Sequence, residues 1–110
     1  MGTTMLMIAT DFAKLPVGRY PKDGPFNGEK FRLEFLVPKL KDFDRVVVDL
    51  TGTLGAGSSF LDEAFGGLIR DEGFTVSQLE GKLDIRSDDD SEVVQIWEYI
   101  RSARARNARH

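Results

Sequence analysis

A chain of 110 residues, 41% apolar and 30% charged, has room for one domain with a real core and not for two. Its net charge of −3 argues against a whole-surface attraction to nucleic acid or anionic lipid, and the lack of cysteine excludes disulfides and thiolate metal sites. No stretch reaches the ~20 apolar residues of a membrane span, Met1 to Ala9 carries no basic residue of a signal peptide, and the setting expected is cytoplasmic.

Thr4 to Ala9 reads as a first strand, apolar on both faces and therefore central. Asp11 to Gly28 then holds Pro16, Pro21 and Pro25 among glycines and Asn27, the chemistry of a loop. It is longer than a usual connection, which in a compact domain points to function. Asn27 suits the cap of a helix with the apolar stripe Phe31, Phe35, Leu36 and Leu40, which Pro38 should kink or split. Arg45 to Leu50, with its β-branched run, predicts a strand covered on both faces.

A glycine-rich turn follows, and a helix opens on Ser58 and Ser59 with Phe60, Leu61, Ala64, Phe65, Leu68 and Ile69 on one face, ending near Gly73. Thr75 caps a short helical turn to Glu80, and Lys82 to Arg86 alternates as a half-exposed edge strand. The last helix starts after Ser87 to Ser91 and buries Val93, Val94, Ile96, Trp97 and Ile100, with Arg101, Arg104, Arg106 and Arg109 at its basic end. Residues 104–110 read as a frayed tail of the single domain spanning 1–110.

The order β-α-β-α-β-α predicts an α/β fold with a small, mostly parallel sheet. Loops after the first two strands then leave the same carboxyl edge, the ligand side of open α/β sheets. That edge gathers Arg19, Lys22, Asn27, Gly57, Ser58 and Ser59, with Arg32, Asp62 and Glu63 on the adjoining helices. The basic members suit an anion between two helix N-termini; the plainer reading is solubilising charge.

Several chemistries fall away. Gly52-x-x-x-x-Gly57-Ser58-Ser59 has the outline of a phosphate-cradling loop, but Ser58 stands where the lysine anchor belongs. His110, terminal and alone, makes neither a triad nor a metal site, and Asp88-Asp89-Asp90 reads as a solvated helix start. The arginine-rich tail lacks the interleaved aromatics of a nucleic-acid surface. No metal, cofactor or catalysis is expected. Ser59 with Asp62 resembles a capping box, and Gly66-Gly67 inside a helix, at about 1 kcal/mol each, implies close approach of a neighbour.

Asp49-Leu50-Thr51-Gly52, followed by Gly57-Ser58-Ser59-Phe60-Leu61-Asp62-Glu63-Ala64-Phe65-Gly66-Gly67, resembles the STAS domain of anti-sigma factor antagonists. With Gly18-Arg19 and Asn27-Gly28-Glu29-Lys30-Phe31-Arg32 added, it is closer to the STAS-like family DUF4325. The resemblance implies a bacterial, regulatory, non-enzymatic protein-interaction module. By position Ser58 matches the antagonists' phospho-acceptor, modified by a partner kinase of the GHKL ATPase type. In this reading Ser58 and Ser59 begin the recognition helix, Asp62 and Glu63 form its charged rim, and the Arg19 loop folds over it. Gly57 and Phe60 depart from the antagonists' aspartate and glycine, and Asp62 and Glu63 would repel a phosphate on Ser58. The alternative is a small-anion or nucleotide-binding domain at the same edge.

Overall fold

The structure, a computed structural model, describes residues 2–105. Its strands β1 (Thr3–Met7), β2 (Arg45–Asp49) and β3 (Leu83–Arg86) form one sheet in the order β1-β2-β3, with both pairings parallel. Register places Leu6 beside Val48 and Val48 beside Ile85, so one face carries a row of buried side chains.

Helix α1 spans 28–42, built from Gly28–Lys30, Phe31–Leu36 and Val37–Asp42 without interruption. Helix α2 spans 58–70 through Ser58–Leu61, Asp62–Gly66 and Gly67–Arg70. Helices α3 (Val76–Lys82) and α4 (Asp90–Ser102) follow. The core joins Leu6, Ile8, Val46, Val48, Leu83 and Ile85 of the sheet side to Phe31, Leu40, Phe60, Phe65, Leu79, Ile96 and Ile100 of the helices.

Sequence signals explain most boundaries. Asn27 caps α1 by accepting from the Lys30 N–H at 2.9 Å. Thr75 and Gln78 close a reciprocal capping box on α3, and Asp89 accepts from the Ser91 N–H at the start of α4. Gly73 takes the left-handed φ of +81° beyond α2.

Three expectations are corrected. Strand β1 is outermost in the sheet rather than central, and it ends at Met7, where Ile8–Phe12 turns into one wide helical coil closed by the Ala13 N–H on the Ile8 carbonyl. Met5 is 49% exposed, an apolar side chain left on the surface. Strand β2 is covered on both faces, as expected: Val46, Val47 and Val48 are all buried, Val47 on the face away from the main apolar cluster. Pro38 does not split α1. The Val37 N–H reaches back five residues to the Arg32 carbonyl, a wide turn that takes up the lost proline donor. Val94 is 58% exposed, whereas Trp97 packs partly buried against the core with the Arg101 guanidinium over its ring. Arg104 is exposed; Arg106, Arg109 and His110 lie outside the described residues.

Candidate functional site

The parallel pairing brings the loops after β1 and β2 to one edge of the sheet, and two backbone hydrogen bonds join them. The Leu54 N–H donates to the Lys14 carbonyl at 2.7 Å, and the Gly57 N–H to the Pro16 carbonyl at 3.3 Å. The first loop is further held by Phe12, whose ring lies 5.1 to 6.1 Å from those of Phe26, Phe31, Phe35 and Phe60. Farther along, the Gly28 and Glu29 N–H groups donate to the carbonyls of Gly18 and Arg19. The long loop is thus fixed on α1 and on the turn before α2.

Between the two loops lies a cleft of about 550 Å³, lined by Val17, Gly18, Arg19, Tyr20, Lys22, Asp23, Gly57, Ser58 and Ser59. Ser58 and Ser59 stand in the first turn of α2, both exposed. Gly57 occupies the cap position, so the expected Ser59–Asp62 capping box does not form and no side chain caps α2 among the described residues. Asp62 is instead held by two arginines: Arg19 donates to it at 2.7 Å and Arg70 at 3.1 Å. Burial raises the Asp62 carboxyl, but these hydrogen bonds outweigh it and set its pKa below the usual carboxylate range. The same hydrogen bond raises the Arg19 pKa. Asp23 accepts from the N–H groups of Tyr20 and Arg19, which lowers its pKa and shapes the cleft wall.

Three of the sequence-selected residues turn inward. Arg32, expected at the surface, is 3% exposed and donates to Glu63 at 2.8 Å and Glu72 at 2.9 Å. Burial disfavours its charge, yet the two carboxylates raise its pKa. Glu63 is 1% exposed, so the expected charged rim consists of Asp62 without it. Its Oε1 has no hydrogen-bond partner among the described residues, with Arg19 and Arg70 nitrogens at 3.7 and 3.8 Å. Asn27 is buried with its amide engaged on both sides, by the Lys30 N–H and the Gly24 carbonyl. Of the predicted surface, the edge therefore brings together Arg19, Lys22, Gly57, Ser58 and Ser59, with Asp62 tied to it through Arg19.

The inward turn explains Gly67 of the glycine pair, while Gly66 makes room for Asp62 and Arg70. A Cβ on Gly67 would strike the Arg32 guanidinium, and one on Gly28 would come within 2.7 Å of the Phe60 carbonyl oxygen and 2.9 Å of Glu63 Cβ. Those glycines set how closely α1 approaches α2. Tyr20, Val17 and Phe12 escaped the sequence reading; all three lie in the proline-bearing loop, where periodicity assigns no face.

Three parallel strands backed by helices, with a serine-led helix at the carboxyl edge, define a small α/β module of the STAS type. Residues 27–91 match DUF4325, described as a STAS-like domain of unknown function, and the chain belongs to this family. No curated protein and no solved structure matches the chain. No described helix is long and apolar enough to cross a membrane.

Proposed function

We propose that this chain is a bacterial, cytoplasmic, non-enzymatic regulatory module that binds a protein partner through the carboxyl edge of its sheet, and that phosphorylation of Ser58 by a GHKL-type ATPase or kinase switches this binding. One observation carries the reading: Ser58 lines an open cleft walled by two loops that are hydrogen-bonded to each other. A phosphate there meets the positive end of α2 together with Lys22 and Arg19 of the facing loop. Asp62, the carboxylate expected to repel it, is neutralised by Arg19 and Arg70. The non-enzymatic reading is supported by Asp23, the cleft carboxylate, whose oxygen is engaged by two backbone N–H groups rather than set as a base for Ser58.

The test is incubation with the candidate kinase and ATP, then intact-mass analysis and peptide mapping. One phosphate on Ser58, absent from Ser58→Ala, is expected; an unmodified mass with a kinase active on a control substrate overturns the switch. The alternative, a small-anion or nucleotide site, draws on the same cleft and its cations. It predicts a thermal shift with nucleotides that Lys22→Ala abolishes, where the switch reading predicts none.

A further inference from the structure

Large aliphatic side chains stand exposed where the two edge loops meet. Leu15 is 55%, Val17 49% and Leu54 75% exposed. They are neighbours because the Leu54–Lys14 and Gly57–Pro16 backbone bonds bring their segments together. Nothing in the fold calls for a leucine at position 54, inside a polar, glycine-rich turn where the core gains nothing from it. Clustered aliphatic exposure of this kind marks a contact surface.

The charges beside it differ in how they are held. Asp11 and Asp23, the acids of this loop, are engaged by the backbone N–H groups of Met7 and of Arg19 and Tyr20. Lys14 and Lys22 close no salt bridge among the described residues, on a chain whose net charge is −3. Across the turn from this loop, Asp88, Asp89 and Glu92 line a separate hollow with Gly52, Thr53 and Gly55. The rim is therefore apolar in the middle, with the unbridged lysines Lys14 and Lys22 on the side where the acids are tied to backbone, and acidic on the other.

Deepening the protein-interaction reading and resting on it, we infer that the partner of this edge is a protein segment pairing aliphatic or aromatic anchors with carboxylates, the anchors seated on Leu15, Val17 and Leu54 and the carboxylates over Lys14 and Lys22. The acidic far side fixes its direction, since a reversed segment sets carboxylates against Asp88 and Asp89. A phosphate on Ser58 adds negative charge beside Lys22 and repels the same segment, which gives the switch its sign.

The experiment is selection of a phage-displayed random-peptide library on the full chain, followed by affinity measurements on synthetic winners. The substituted side chains lie at the surface, so circular dichroism should report intact folding in each variant. The expected winners combine Leu or Phe with Asp or Glu, lose tenfold or more in affinity for Lys14→Glu/Lys22→Glu and for Leu54→Ser, and keep it for Asp88→Lys. Winners without carboxylates, or undiminished by those changes, overturn this surface while leaving a protein-interaction module elsewhere. No winner at all removes both readings. Self-association in sedimentation that disappears in Leu54→Ser gives the rim to a second copy of the chain and overturns the acidic partner.

Discussion

Arg32 of α1 and Glu63 of α2 face each other at 2.8 Å, both withdrawn from solvent, and Glu72 holds the other side of the same guanidinium. The pair sets the spacing of the two helices whose starts frame the cleft. Breaking one half of a buried pair leaves the other charged and unmatched, at about 3–5 kcal/mol. Arg32→Leu should lower the unfolding free energy by that amount, read as a lower urea midpoint with an unchanged m-value. Arg32→Leu/Glu63→Leu should be the less damaging of the two, because no orphaned Glu63 remains.

The glycines give a prediction with opposite signs. Gly67→Ala drives a methyl into the Arg32 guanidinium and should destabilise the fold by about 1–3 kcal/mol. Gly81 lies inside α3 with nothing within 4 Å of the place a Cβ would take, so Gly81→Ala should stabilise by about 0.5–1 kcal/mol. Thermal unfolding of the two variants side by side reads both signs.

Asp62 sets an acid limb. Its folded-state pKa lies below the ordinary 3.8, so the stability it contributes is complete above that value and is lost as pH falls through the lower, folded one. Unfolding followed between about pH 6 and pH 2 should show this loss, and Asp62→Asn should flatten it. The same variant weakens the hold on Arg19 and should speed amide exchange across residues 17–24, which that side chain ties to α2.

Much of this architecture was legible in the chain. The β-branched run of β2, the caps at Asn27 and Thr75, and the stop at Gly73 are local signals, and each acts where it is read. The shared edge followed from parallel topology. Arg32 and Glu63 were misplaced because single-helix periodicity scores a charge as outward, and only the meeting of two helices gives each buried charge its partner. A signal existed: Glu63 and Gly67 lie one turn apart on α2, a carboxylate beside a notch, which asks for a cation from a facing element. The outermost place of β1 was hidden by Met5, and Val94 likewise shows that an apolar residue at the surface carries no label.

The account rests on the carboxyl edge being the face that meets another protein. In-cell photocrosslinking tests this most directly, with p-benzoylphenylalanine placed in turn at Val17, Leu54 and Ser59, and at Val94 on α4 as the control. The edge positions should trap one and the same protein, and the adduct should disappear when Ser58→Asp is added. Adducts from Val94 with none from the edge, or edge adducts indifferent to Ser58→Asp, would contradict the account.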